Sequence, residues 1–264
     1  MSGDRFFAKR AFGAFLAAML PAVAMADNAP VKVGVASVVN GQPVAKPPSG
    51  TERVLHVGND MAASEVVTTK TNDRAHIVFL DGSTLTVGPN SVITIDKFVY
   101  DPESRNGTLN LNAGRGMFRY VGGAISKNSE VLIKTQGATM GIRGGIATFT
   151  VAPSGATSAN FLFGGSLTIT SGGVTSTTTQ PGTQISVPSG GAPTPPTPIP
   201  PGVMQQITNT LQSPPGNNNA AGAPPAAAVS NAFGGSSFAQ GNSSLPPQTV
   251  RAAIPTAQQA QLSV

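Results

Sequence analysis

The fold is decided by the stretch Ile77-Val78-Phe79-Leu80-Asp81-Gly82-Ser83-Thr84-Leu85-Thr86-Val87. Two runs of β-branched and apolar residues flank Asp81-Gly82, a pair that tolerates the positive φ angles of a type I′ turn. This pattern predicts a β-hairpin. A second stretch, Phe163-Gly164-Gly165-Ser166-Leu167-Thr168-Ile169, has the same form, and we expect Gly164-Gly165 to close another hairpin. Two similar units favour stacked hairpins, each of which buries a face on the next.

Segments of this kind, rich in Val, Ile, Thr and Phe and separated by turn residues, recur from residue 31 to about residue 187. No window shows the sustained apolar stripe of an amphipathic helix. The sequence therefore predicts an all-β domain of short stacked strands, solenoid-like or sandwich-like, over residues 27–189. The predicted strands are 32–39, 65–69, 75–80, 84–87, 92–95, 108–111, 116–121, 131–134, 145–151, 158–163, 166–170, 174–178 and 184–187.

The composition changes after this domain. Six prolines between residues 190 and 202 predict an extended linker, because proline fixes φ and has no N–H to donate. Residues 203–212 could form a short helix. Residues 213–264 are almost uncharged and rich in Ala, Pro, Gly, Ser, Asn and Gln. We expect this low-complexity tail to be disordered, since it cannot bury enough apolar surface to offset the entropy of ordering.

The first 26 residues have the pattern of a secretory signal peptide. Three bases come first, an apolar run follows, and Ala24-Met25-Ala26 supplies the small residues of a cleavage site. The apolar run is shorter than a membrane span, Pro21 interrupts it, and no later segment is apolar for long enough to cross a bilayer. We therefore expect a bacterial protein that is periplasmic or extracellular, without stable membrane insertion after signal cleavage.

Composition excludes several classes of function. Cleavage would remove three bases and one acid and leave 13 basic and 10 acidic residues, so the chain lacks the basic excess of a nucleic-acid-binding protein. There is no cysteine, which removes disulfides, thiol catalysis and thiolate metal sites. His56 and His76 show no metal-ligand spacing, and no catalytic or nucleotide-binding motif is found. We expect no catalytic residue, metal or cofactor, and no enzyme activity.

The charges are divided unevenly along the chain. Residues 51–103 contain eight acids and four bases, whereas residues 104–150 contain six bases and the single acid Glu130. One interpretation is that the two halves neutralise each other within the fold. The other is a basic patch that attracts an acidic protein segment, an anionic glycan or a lipid head group.

One block of small residues surrounds a single arginine: Lys134-Thr135-Gln136-Gly137-Ala138-Thr139-Met140-Gly141-Ile142-Arg143-Gly144-Gly145. The small residues allow a sharp bend and a close approach of backbones. Within this block we single out Thr135, Ala138, Thr139, Gly141, Ile142, Arg143 and Gly144 as the candidate interaction motif. Arg143 satisfies internal carbonyls or a carboxylate, such as Asp81 or Asp96, or recognises a partner, or does neither.

This block resembles the signature of the FecR domain, which typically reads T-P-x-A-T-x-G-I-R-G-T. Leu80-Asp81-Gly82-Ser83 upstream and Gln180-Pro181-Gly182-Thr183-Gln184 downstream are also similar to that family, and the resemblance covers about residues 31–187. Gly145 stands where the family usually has threonine, and we expect it to cost rigidity. The founding type carries a cytoplasmic anti-sigma segment and a membrane span before this domain, whereas this sequence shows a signal peptide there.

The resemblance implies a non-enzymatic protein-interaction or signal-sensing module of the bacterial envelope. Its partner would be another envelope protein, engaged along a sheet edge or through the basic half of the domain. The alternative function is that of a structural, adhesin-like or matrix-associated surface protein, whose weakly charged Ser/Thr/Asn/Gly surface mediates assembly.

Overall fold

Several strands alternate strictly between buried and partly exposed side chains, and this alternation gives the sheets a core face and an outer face. The structure is a computed structural model that describes residues 31–212. The predicted signal peptide, residues 1–26, and the predicted tail, residues 213–264, lie outside the described residues. Within them the chain is mostly β-structure, as the sequence predicted.

The described residues form seventeen strands and two short helices. In chain order these are β1 (Lys32–Asn40), β2 (Val44–Lys46), β3 (Arg53–Val54), β4 (Asp60–Ala62), β5 (Val66–Thr68), β6 (Arg74–Phe79), β7 (Thr84–Val87), β8 (Val92–Asp101), β9 (Asn106–Val121), α1 (Ala124–Asn128), β10 (Val131–Thr135), β11 (Thr139–Arg143), β12 (Ile146–Val151), β13 (Thr157–Phe163), β14 (Ser166–Ser171), β15 (Val174–Thr178), β16 (Thr183–Val187), β17 (Thr197–Pro198) and α2 (Val203–Leu211).

The strands are arranged in two layers. Sheet A has the order β4-β1-β6-β7-β9-β12-β13-β16-β17. Sheet B has the order β3-β2-β5-β8-β9-β10-β11-β14-β15. All pairs are antiparallel except β9–β10. Within each sheet later strands are added towards one end, so the domain is a two-layer sandwich that grows like a solenoid.

The long strand β9 ties the layers together. Its first half pairs with β8 and β10 in sheet B, and its second half pairs with β7 and β12 in sheet A. The bend lies at Gly116, whose φ is +113°. The sequence predicted two separate strands here, 108–111 and 116–121. In the structure these two segments are the two halves of the single strand β9. Beyond the bend at Gly116, buried and exposed side chains alternate again.

The inner faces of both sheets form one continuous apolar core. Phe118 of β9 stacks on Phe149 of β12 with ring centroids 5.0 Å apart. Phe79 of β6 stacks on Phe98 of β8 across the layers at 5.8 Å. Aromatic pairs at these separations add to the stabilisation from burial alone. The domain therefore reaches a full core without any disulfide.

The two predicted hairpins have different outcomes. β6 and β7 do form a hairpin, but Asp81-Gly82 is not a type I′ turn, because only Gly82 has a positive φ. Phe79 N donates to Ser83 O, and three residues lie between them, as in a turn closed by a left-handed glycine. The prediction for Gly164-Gly165 is wrong: β13 belongs to sheet A and β14 to sheet B, so these glycines form a corner between the layers.

The segment after β16 lies against sheet A. Within residues 190–202, which the sequence predicted as a linker, β17 pairs with β16, and Ile199 N donates to Gly182 O at 2.9 Å. α2 follows and packs on the outer face of sheet A with Ile207 and Leu211 buried. Among the described residues, no helix has the length and apolar character needed to cross a membrane.

Candidate functional site

The motif begins in the turn between β10 and β11. Thr135 N donates to Ala138 O at 2.8 Å, and Ala138 N donates to Thr135 Oγ1 at 3.0 Å. These two bonds close the four-residue turn from both sides. Thr135 Oγ1 also contacts Thr157 Oγ1 of β13 at 3.1 Å, which joins the turn to the opposite layer. Thr135 and Ala138 therefore have structural roles in this turn.

The sequence-based bend at residues 139–143 is in fact a strand, β11. Met140 and Ile142 point into the core, whereas Thr139, Gly141 and Arg143 belong to the outer face of sheet B. Gly141 is buried although it belongs to the outer face, because the carboxylate of Glu130 covers it. A Cβ at this position would be 2.1 Å from Glu130 Oε1.

The chain leaves sheet B at Gly144-Gly145 and enters β12 of sheet A. This corner packs against the one formed by Gly164-Gly165, backbone against backbone. A Cβ on Gly145 would lie 1.8 Å from Phe163 O, and a Cβ on Gly164 would lie 2.0 Å from Gly144 O. Gly145 has a φ of +99°, which glycine adopts without strain. The crossing needs glycine here, so the entropy that Gly145 loses on folding accompanies a packing that no other residue allows.

Arg143 does not cap the interior. Its side chain is exposed at the end of β11, and among the described residues it forms no ion pair or side-chain hydrogen bond. Asp81, one of its expected partners, is buried elsewhere. Its carboxylate accepts hydrogen bonds from Ser83 N at 3.0 Å and Ile125 N at 3.2 Å, and so fixes the start of α1. The internal interpretation of Arg143 is wrong.

A straight row of side chains crosses the outer face of sheet B, and we call it the outer row. Each member stands directly opposite the next on the neighbouring strand. The members, from β2 to β15, are Lys46, Val66, Thr94, Asn112, Lys134, Thr139, Thr170 and Thr175. Thr170 Oγ1 and Thr175 Oγ1 are 2.9 Å apart. A parallel hydroxyl pair, Thr168 and Thr177, lies beside it at 3.1 Å.

Bases are concentrated on this face. The exposed bases on sheet B are Lys46, Lys97, Arg115, Lys134 and Arg143. Glu130 lies over Gly141, and exposed Asp96 occupies the bulge of β8 next to Lys97. The ion pairs among the described residues, Lys32–Asp60 and Arg53–Glu65, both lie before residue 66. They do not join the acidic and basic halves, which goes against mutual neutralisation.

The face ends at an open edge. β15 pairs with β14 on one side, and no described strand pairs with its other side. Its residues Val174, Thr175 and Thr177 are exposed. Such an edge offers backbone donors and acceptors to an incoming strand.

The outer face of sheet A carries a second set of polar residues that the sequence reading missed. His76 Nδ1 lies 2.9 Å from Thr86 Oγ1, and Thr86 stands opposite Arg119 of β9. Burial, with the nearby Arg119 charge, lowers the pKa of His76. The alternation of buried and exposed residues within β9 could have predicted that Arg119 lies on this face. It could not have predicted that α2 packs next to Arg119. Among the described residues, no three His, Asp or Glu side chains group in a way that could hold a metal.

The two-layer β-domain thus has one outer face that is polar and carries five exposed bases. Residues 65–168 match the family model described as FecR protein. The match covers the central part of the chain, from just before β5 to the start of β14, and it confirms the resemblance inferred from the motif.

Similar solved structures include two crystal structures, at 2.50 and 1.65 Å resolution, of a protein from Parabacteroides distasonis described as a candidate anti-sigma factor. Each is 10% identical, with a TM-score of 0.41, and the match covers 53% of this chain and 62% of the other. The chain thus spans less than two thirds of the length of that protein. Comparison with curated proteins gives no match.

Proposed function

We propose that this protein is an exported, non-enzymatic interaction module of the bacterial envelope, and that the outer face of sheet B binds an acidic segment of another envelope protein. The observation that supports the proposal best is the position of the family motif. Thr139 and Arg143 of β11 present their side chains on this face, next to Lys134 of β10. Export rests on the pattern of residues 1–26.

The size of the face suits a protein partner. The outer row crosses eight strands, which at about 4.8 Å per strand spacing makes it about 34 Å long. Strands of five or six residues give a width of roughly 17–20 Å. The product, roughly 580–680 Å², approaches the ~800 Å² that each partner contributes to a standard interface.

The charges on the face suit an acidic partner. Lys134 and Arg143 are exposed and lack a carboxylate partner among the described residues, so they are free to attract one. Exposed charges at an interface mainly accelerate encounter and set its salt dependence. A signal-sensing role is in keeping with the FecR domain, and here the signal would pass through the bound partner.

Charge reversal tests this proposal. Lys134→Glu combined with Arg143→Glu should abolish crosslinking of the protein to its envelope partner, and raised salt should weaken the wild-type complex. Arg105→Glu is the matched control, because Arg105 is exposed in the loop between β8 and β9, outside the outer row. Equal loss of crosslinking in the control, or none in the double variant, would show that the face is not the binding surface.

The free edge of β15 favours a second candidate function, a structural or adhesin-like surface protein that assembles by adding strands. Thr175 and Thr177 lie on this edge strand, and threonine favours β-pairing. Assembly of the purified protein should then depend on its concentration. Thr175→Lys should suppress it, because lysine on an edge opposes pairing. A protein that stays monomeric at high concentration would exclude this candidate.

A further inference from the structure

A cavity lies between α2 and the outer face of sheet A, on the side of the domain opposite the proposed binding face. Its volume is about 240 Å³. Thr86, Arg119 and Thr148 form its floor, and Met204, Ile207 and Leu211 of α2 form its roof. The cavity thus combines one cation and two hydroxyls with an apolar wall.

The floor belongs to a polar row that crosses sheet A strand by strand. Its members are His76, Thr86, Arg119, Thr148, Asn160 and Gln184, each opposite the next. Most of them are already bonded to one another. Asn160 Nδ2 donates to Thr148 Oγ1 at 3.2 Å, and Gln184 Nε2 donates to Asn160 Oδ1 at 2.9 Å. The hydroxyl of Thr148, which is 1% exposed, therefore still has its proton to donate.

Arg119 is the exception in this row. Among the described residues its guanidinium forms no ion pair and no hydrogen bond, although its neighbours on both sides are neutral threonines. Its charge also reaches His76, whose pKa it helps to lower. The chain that covers the cavity offers no side-chain carboxylate either, because Arg251 is the one charged residue between 151 and 264. The roof therefore supplies no carboxylate to Arg119, which leaves its exposed guanidinium available to an anion from outside.

The roof is held in place at the C-terminal end of α2. Arg74 Nε donates to Thr210 O at 2.6 Å, and the side chain of Leu211 packs over Gly88. Ile207 is buried near the middle of the helix. These contacts keep α2 over the sheet. Thr208 of the helix and Gln212, which follows it, also line the cavity.

We propose that this cavity binds a small carboxylate with a short apolar chain. The carboxylate would accept hydrogen bonds from Arg119 and the Thr148 hydroxyl, and the apolar chain would lie against Met204 and Ile207. Arginine suits this role because its planar fork matches a carboxylate. The volume is below the ~300–1,000 Å³ of drug-sized pockets, which restricts the ligand to a small molecule. The proposal does not depend on the binding face on sheet B.

Titration with hexanoate tests the site, followed by amide NMR shifts of the purified chain, with hexanamide as the uncharged counterpart. We expect hexanoate to shift resonances of Thr148 and Ile207, and hexanamide to bind at least about tenfold more weakly, since it cannot form charge-assisted bonds. Arg119→Gln should weaken the binding of hexanoate by a similar factor. Arg115→Gln, on the same strand but on sheet B, should bind like wild type.

Several results would overturn the proposal. Hexanoate binding that is unchanged in Arg119→Gln would show that the arginine does not anchor it. Shifts confined to the basic face of sheet B would show ordinary attraction to surface charge. Absence of any shift with acetate, hexanoate or benzoate at tens of millimolar would show that the cavity takes no small carboxylate. A binding failure in Arg119→Gln counts only if the variant melts like wild type, which the exposure of this side chain leads us to expect.

Discussion

Substitution of Gly145 by alanine should lower the free energy of unfolding far more than the same substitution at Gly172. Both glycines have positive φ angles, +99° and +56°, so both substitutions place an L-residue in a disfavoured conformation at about 1 kcal/mol. The difference lies in the surroundings. A Cβ at Gly145 would lie 1.8 Å from Phe163 O and 2.4 Å from Gly164 Cα, whereas a Cβ at Gly172 meets nothing within 4 Å.

The contacts at Gly145 are backbone atoms, which cannot rotate away as a side chain would. The two corners must therefore separate, and forced overpacking of this kind costs about 1–3 kcal/mol beyond the backbone strain. We expect Gly145→Ala to lose roughly 2–4 kcal/mol and Gly172→Ala about 1 kcal/mol. For a domain of this size those losses correspond to falls in Tm of about 4–16 °C and 2–4 °C.

Urea denaturation followed by circular dichroism measures both variants under the same conditions. A lower midpoint with an unchanged slope reports stability alone. If the two variants lost stability equally, within about 0.5 kcal/mol, the packing of the two glycine corners would not be a determinant of the fold. Gly145→Thr, which introduces the usual residue of the family, should be at least as damaging as alanine here, because Gly164 leaves no room for it.

Three further predictions concern single positions. Arg143→Ala should change the unfolding free energy by no more than about 0.5 kcal/mol, since its side chain is exposed; a loss of 1–3 kcal/mol in urea melts would restore an internal role. Because the pKa of His76 is lowered in the fold, the unfolded state takes up the proton first, and stability should fall as pH drops through about 6.5. His76→Gln should flatten this loss, measured as melting temperature against pH. Mass spectrometry of the exported protein should find Asp27 as its first residue, and an intact Met1 would indicate an uncleaved leader.

The sequence predicted the β-class because period-two alternation and turn residues are local signals. It also identified most strands to within one or two residues, such as β7, predicted and found at 84–87. It could not distinguish a hairpin from a corner. Phe79–Val87 and Phe163–Ile169 look alike, yet the first stays in sheet A and the second changes sheets. That choice depends on which strands lie alongside, and those strands are distant in sequence.

The candidate site shows the same division. The motif around Gly141 and Arg143 was recognised from its residues, and its place on the outer face follows from the alternation within β11. The sequence misled us about Arg143, since small neighbours suggested a crowded interior. They serve instead for the close approach of Gly144-Gly145 to Gly164-Gly165. The cavity at Arg119 needed α2 to fold back across sheet A, a contact more than eighty residues away in the chain.

The central claim is that the outer face of sheet B is the surface that meets the partner. Photocrosslinking tests it most directly, with a photoreactive residue placed at Thr139 or Thr170 on that face, or at Thr150 on the outer face of sheet A, in the protein exported by its native cell. We expect a crosslinked species of defined mass from Thr139 and Thr170 that is lost in the Lys134→Glu, Arg143→Glu background, and none from Thr150. If the same crosslinked species formed from position 150, with or without crosslinks from positions 139 and 170, the outer face of sheet B would not be the surface that meets the partner.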